Sequence, residues 1–577
     1  EFDNNVSINY LLNGLDLPDV SLNQADALTD LNRVMVTKYG IYPYVNSDEV
    51  IAARVDFQYS LDSDYISSVE FGARYSEREY SSDRSVYEFG SDSGFNSKEK
   101  ALNITEDMAT VVDWKGDFSS FPSYLALDQN KVLNAWFPQG IPQPVQTWGG
   151  SASGVINGDP LGKDSAWTMK ESGQVFEDIF AAYIMANIDV EIGDIPVTGN
   201  FGVRIVRTKQ ASTSLQDVGE KTVKDAYGQD ALDENGDVIV QANAELGAQF
   251  ITDDAGLINQ KYAPGIIENT YTDYLPQMNL NFHLTPNDQI RFAAAKVMSR
   301  PNIDRLASNS SVNINKVTTD SGTYAEISGN AKNSPHLEPF YANQYDISYE
   351  RYFTESDGSF IFALFYKDIE SAGIVTQTIS EYDFSGNGLI VPDEFIDPLS
   401  GVPLEIRNGN FETAFNDDKG GYIKGLEVSY TQVFSFLPDF WSGLGLSTSY
   451  SHTKSEIQQI SQLGQQDLPI TLPGLSENVL QTTLFWGYEG FETRISARYR
   501  DEFVSEQVAV EAQTVNYDDE LVIDYQASYQ FNNNLGVVFQ VNNVTDEPTK
   551  SYFGVQSQTG TIQYFGRQFF LGMTYAL

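Results

Sequence analysis

The chain contains no cysteine, only three histidines, and 35 lysines and arginines among its 577 residues. The lack of cysteine excludes disulfides and thiolate metal sites, and it suits passage through an oxidising compartment. His283, His336 and His452 lie far apart in sequence. A metal site needs clustered ligands, so no metal and no cofactor is expected. The few cations face 80 acids, for a formal net charge of −45. That balance speaks against a nucleic-acid partner, whose phosphates attract Lys and Arg. No run approaches the roughly eighteen apolar residues of a membrane-crossing helix. The best candidates, such as Phe360 to Tyr366, have the length of a strand. The negative mean hydropathy is no argument against a membrane, because the strands of a transmembrane barrel are apolar on one face only. Nothing resembles a nucleophile elbow, and no catalytic constellation stands out, so the chain is not read as an enzyme.

What is present is aromatic and periodic. The chain holds 33 Tyr, 35 Phe and 44 Gly. Ala53, Val55, Phe57 and Tyr59 alternate with Ala52, Arg54, Asp56, Gln58 and Ser60. After a tight turn at Asp62-Ser63-Asp64, Phe71, Ala73 and Tyr75 alternate with Gly72, Arg74, Ser76 and Arg78. The unit recurs at 173–191 with 196–210, 268–284 with 288–300, 343–353 with 359–371, 421–435 with 442–456, 476–488 with 490–503, and 521–531 with 535–545. Tight turns alternate with long connections at about 79–171, 211–266, 301–342, 372–420, 457–475, 504–520 and 546–561. About fifteen strands of roughly ten residues fit tilted membrane strands. The strands of a soluble sandwich are shorter, averaging about five or six residues. The expected fold is an all-β transmembrane antiparallel barrel with long extracellular loops and short periplasmic turns.

The last residues fit this plan. Phe569, Leu571, Met573 and Tyr575 share one face of a closing strand near 562–577, which runs to Leu577. The stretch resembles the C-terminal signal by which the barrel assembly machinery recognises outer-membrane proteins. Tyr59, Tyr75, Phe353, Tyr499 and Tyr575 near strand ends read as interface anchors, and Trp441 and Trp486 suit the periplasmic girdle.

Several segments carry a family likeness. They are Ala53-Arg54-Val55-Asp56 with Phe71 to Ser76, Gly199 to Thr208, and Ser299-Arg300-Pro301-Asn302. Gly329-Asn330 follows, then Pro335-His336-Leu337-Glu338-Pro339 with Asn343 to Glu350, Val541 to Glu547, and Gly566-Arg567. In this order they resemble the C-terminal part of a TonB-dependent outer-membrane receptor, most like the Caulobacter-type group. The resemblance implies a barrel of about 22 strands around an N-terminal plug, of which about fifteen fall in this chain. Residues 1–48 would be an extracellular loop region and 49–577 the later barrel, with no plug-like segment. The wall would then be open, with unpaired edges that a membrane does not tolerate.

The resemblance further implies TonB-driven import across the outer membrane of a Gram-negative bacterium. The loop at 79–171 carries Trp114, Trp136, Phe137, Trp148 and Trp167. Exposed aromatics suit sugar stacking, and with the family likeness they point to an oligosaccharide ligand. The same rings could instead form the loop's own small core. A ferric siderophore is the alternative ligand, and a passive porin of about 16 strands is the rival architecture. Arg54, Arg74, Arg204, Arg291, Arg494 and Arg498 are expected to face the lumen, paired with inward acids or with plug carboxylates, or lining an anion path. Asp230 to Asp237 superficially suggests a calcium loop, but Gly236 at the sixth position would put Ala231 at the first ligand, and the pattern fails. A hairpin turn at Asn235-Gly236 is expected instead.

Overall fold

The computed structural model describes residues 5–576 apart from 91–100, 142, 144–154, 157–158, 161–170, 235, 237, 245–246, 249–250, 253–257, 260–261, 321, 355, 372, 398–399, 418, 459–468 and 509–513. Fifteen long strands form its wall. They are β1 (Tyr44–Ser60), β2 (Ile66–Arg84), β3 (Gly173–Ile192), β4 (Ile195–Asp217) and β5 (Tyr262–Thr285). Next come β6 (Asp288–Ser299), β7 (Phe340–Phe353), β8 (Gly358–Ile369), β9 (Gly421–Val433) and β10 (Leu444–Gln458). The last are β11 (Asn478–Tyr488), β12 (Phe491–Arg500), β13 (Glu520–Gln530), β14 (Leu535–Asn542) and β15 (Gln568–Tyr575). Each pairs antiparallel with the next.

Alternation gives the wall two chemistries. Val55 and Phe57, Phe180 and Ile184, and Leu571 and Met573 are apolar, exposed and on one face. Exposed apolar residues repeated along a continuous sheet form a lipid-facing surface. The other face carries Arg, Asp, Asn, Gln and Tyr, and is the barrel interior. At the periplasmic end the turns are short. Glu489 and Gly490 both have positive φ, 47° and 86°, which is the backbone of a two-residue turn matched to strand twist. Next to this end Phe440, Trp486 and Tyr488 pack together, and the Trp486 indole N–H donates to the Phe440 carbonyl at 2.7 Å. Such a ring cluster is a girdle at the membrane boundary.

The extracellular end is built differently. The tip of β4 pairs with Ser310–Thr319, which pairs with Gly322–Ala331, then Ile406–Asn416, then Ile374–Ile379. These strands extend the wall into a headpiece. Its core gathers Val312, Ile327, Phe384, Leu389 and Phe411.

The strands follow one another round a barrel, with β15 coming round to β1. Among the described residues no register joins those two. β1 pairs only with β2, and β15 only with β14. Every residue of β1 is exposed, and all but one of β15. The two strands thus close the circle as neighbours without a backbone ladder between them among the described residues. Loops from both sides meet above it: the Thr559 hydroxyl donates to the Gly14 carbonyl, and Phe118 packs edge-on against Tyr564.

Two expected boundaries move. The first wall strand begins at Tyr44 rather than near 49. The last begins at Gln568, not 562, because Thr559–Gln563 pairs with Thr549–Phe553 in a separate extracellular sheet. Gly566, at φ 74°, turns the chain between them.

Candidate functional site

The loop aromatics come first. The helix Gln129–Trp136 starts where the Asp128 carboxylate caps the Lys131 N–H at 3.2 Å. Trp136 and Phe137 at its end join Tyr39, Ile41, Tyr87 and Leu133 in a small core. Phe137 is buried there, edge-on to Tyr39 at 5.8 Å. Trp114 sits among Phe118, Phe121 and Tyr124, with its indole N–H on the Pro122 carbonyl at 3.1 Å. It is 40% exposed. The structure therefore packs these three rings into two clusters rather than one platform. Trp148 and Trp167 lie outside the described residues.

The six arginines all fall on the polar face. Arg54 stands directly opposite Arg74 in the β1–β2 register. Arg204 stands opposite Tyr183 on β3, and Tyr183 opposite Gly72. The Tyr183 hydroxyl donates to Asp56 Oδ1 at 2.7 Å, and Arg54 pairs with the other Asp56 oxygen at 2.5 Å. Gly72 permits this crossing, since a Cβ there would lie 2.5 Å from Asp56 Oδ1 and 2.8 Å from the Tyr183 ring. Further round, Arg291 pairs with Glu350 at 3.2 Å, Arg494 donates to Gln526 at 2.7 Å, and Arg498 pairs with Asp524 at 3.1 Å. Strand periodicity alone does not group these six. The structure gathers Arg54, Arg74 and Arg204 with Arg300 around one cavity of about 590 Å³, together with Tyr183 and Gln277.

A polar roof lies outward of this cavity on the same strands. On β4, Val206, Thr208, Gln210, Ser212, Ser214 and Gln216 are all buried. Gln210 donates to the carbonyls of Pro335 and Leu337, at 2.6 and 2.7 Å. Gln216 exchanges two bonds with the backbone of Ile390. Leu306 and Leu337 meet Val175 in a second small core. Segments 301–339 and 383–391 thus cover the inner face of β4.

The histidines stay apart. His283 meets Thr198 at 3.0 Å, and His452 meets Asn478 at 3.0 Å. His336 lies in the roof, where burial holds its imidazole below the ordinary histidine range. No group of three metal-ligating side chains occurs among the described residues. In the acidic loop, Lys224 holds Asp230 at 2.6 Å and keeps its carboxyl below the usual range. Leu232 bridges to Val238 around Gly236, which has φ 88°. Asn235 and Asp237 lie outside the described residues.

On β15, Phe569, Leu571, Met573 and Tyr575 stand opposite Val541, Phe539, Val537 and Leu535. All four point to the lipid side and are strongly exposed. Leu577 lies outside the described residues.

Comparison with known proteins decides the family. The model of the TonB-dependent receptor-like β-barrel matches residues 2–544. The chain belongs to the TonB-dependent receptor family. It is therefore an outer-membrane β-barrel of a Gram-negative bacterium. Among solved structures it is similar to the ferric-catecholate import receptor Fiu from E. coli K12, at 13% identity and a TM-score of 0.49, covering 92% of this chain and 55% of that one. It is also similar to the siderophore receptor PiuA from Acinetobacter baumannii, at 13% identity and a TM-score of 0.49, over 92% of this chain and 56% of that one. The ferric citrate transporter FecA matches at 11% identity and a TM-score of 0.46, over 93% and 55%. The chain spans about half the length of these structures. No curated protein matches.

Proposed function

We propose that this chain forms the later wall of a receptor that imports a scarce small molecule across the outer membrane, driven by the TonB system. The observation that carries it is the pairing of a lipid-facing wall with a polar interior roofed by packed loops. A passive pore has no use for such a roof. Further strands and a plug would complete the seam between β15 and β1, whose exposed edges a bilayer does not tolerate.

Two ligand classes remain under this reading. An oligosaccharide would stack on loop rings, and of Trp114, Trp136 and Phe137 it is Trp114 that keeps the most open face. A ferric siderophore or similar chelate is favoured by the arginines of the inner cavity. The test is uptake in cells carrying the native receptor, with and without TonB and with the proton gradient collapsed. Accumulation should vanish in both treatments. A steady single-channel current through the native protein in a planar bilayer, with uptake indifferent to TonB, would instead establish the porin.

A further inference from the structure

We propose that the inner wall of β1–β6 holds a binding site for a small oxyanion-bearing molecule, with carboxylate or phosphate groups, gripped by Arg74, Arg204 and Arg300. The site takes its role from the importer reading, but its binding chemistry stands on the cavity alone.

The charge distribution is the first support. In a chain with 80 acids and 35 lysines and arginines, the described lining of this cavity contains four arginines and one lysine, and neither Asp nor Glu. Random placement on such a chain would favour the opposite sign. Two of these cations are already satisfied. Lys296 is held by Glu370 at 3.0 Å, and Arg54 by Asp56. Asp56 is also engaged by Tyr183, so that its two oxygens already hold Arg54 and Tyr183 and it reaches Arg204 only through its field.

The remaining three lack such partners. Arg74 faces Arg54 across the register, and like charges directly opposite on a sheet repel. Neither Arg74 nor Arg204 makes a close ion pair among the described residues; Arg204 lies over the Tyr183 ring at 5.8 Å and feels Asp56 only at longer range. Arg300 keeps a buried Nε–H without an acceptor. A buried donor left unmade costs free energy, and an oxyanion would relieve both this cost and the repulsion. Guanidinium forks match carboxylate and phosphate geometry, two donors to two oxygens. The volume suits a small molecule, since such sites run from about 300 to 1,000 Å³. The position also suits capture. The roof over Thr208 to Gln216 limits water on the outer side, which strengthens charge pairing below it.

The experiment uses the full-length receptor purified in detergent, with citrate and inorganic phosphate as probes and raffinose as a neutral control. Binding is followed by calorimetry at physiological salt. Citrate or phosphate should bind and raffinose should not. Arg74→Gln and Arg204→Gln should each weaken binding about tenfold or more, as loss of a charge-assisted bond does. Arg351→Gln, on an arginine of β7 paired with Asp288 beside the short turn, should leave binding unchanged. Heat-shifted mobility on gels reports that each variant is folded, and Arg74→Lys should retain part of the affinity. Equal response to citrate, phosphate and raffinose would overturn the site. So would a double variant that lowers the unfolding temperature while leaving anion binding intact, which would show the arginines serving an acidic protein segment. Arginine-dependent binding in a receptor whose uptake ignores TonB would keep the site and remove the importer reading.

Discussion

The wall has two halves that fold by different means. Strands β3, β4 and β5 run for 20, 23 and 24 residues, whereas β12 to β15 run for 10, 11, 8 and 8. A tilted membrane strand needs only about 9–11 residues. The excess in β3 to β5 stands outside the bilayer, and burial is concentrated there. Thr208, Ser212 and Val175 are fully covered. Along β12 to β15 most residues are half-buried or exposed, with lipid on one side and the interior on the other. One half therefore carries a water-facing domain with a conventional apolar core, and the other is held by ladder bonds and by the membrane.

The largest expected effect tests that division. Phe384 is fully buried in the headpiece and packs edge-on against Tyr382 and Phe411, both at 5.2 Å. Phe384→Ala should cost the headpiece about 3–5 kcal/mol, the usual range for emptying an aromatic core site. Protease should then cut segments 310–331 and 374–416 readily, while the heat-shifted mobility of the barrel stays as before. If barrel and headpiece unfolded together, the division would be wrong.

Next comes the link between roof and wall. Gln210→Ala removes two donors and strands the buried carbonyls of Pro335 and Leu337. The expected cost is about 1–3 kcal/mol. It should appear as faster amide exchange in 301–339, with exchange in β12 to β15 unchanged. Unaltered exchange in 301–339 would mean the roof is held by its apolar contacts alone.

Much of the wall was legible in the sequence, because period two is a local signal. Arg54, Arg74 and Arg204 share one face of the wall by period two alone, and counting back from the two-residue turn at Gly193-Asp194 places Tyr183 opposite Arg204. The roof was not legible. Gln210 and Pro335 are 125 residues apart, and Gln216 and Ile390 are 174 apart. No periodicity announces such pairs. Trp136 and Phe137 are visible in the sequence as loop aromatics, but whether their rings face water depends on Tyr39 and Tyr87, which only the folded loops bring near. The closing strand is shorter than its aromatic pattern suggests, because Tyr564 and Phe565 continue that pattern across the turn at Gly566.

A smaller effect concerns pH. Burial lowers the proton affinity of His336 in the folded roof, while the unfolded chain has an ordinary value near about 6.5. The unfolded state then binds more protons just below that pH. Roof stability should be full above it, and should fall as the pH drops through it towards the folded-state value. Exchange in 301–339 measured at pH 7.5 and 5.5 should show the loss, and His336→Gln should flatten it. A roof that tightens on acidification would contradict the sign.

The smallest effect separates packed from exposed structure within the extracellular side itself. Lys224 and Asp230 form a close ion pair at 2.6 Å, yet both are about half exposed. Pairs of this kind contribute little, because water screens them and ordering two side chains costs entropy. Asp230→Asn should leave headpiece unfolding unchanged at physiological salt, although the Asp230 carboxyl titrates below its usual range. A measurable loss, persisting in high salt, would mean that the 224–230 turn is itself packed, and not only its flanks Val218 and Ala242, which belong to the headpiece core.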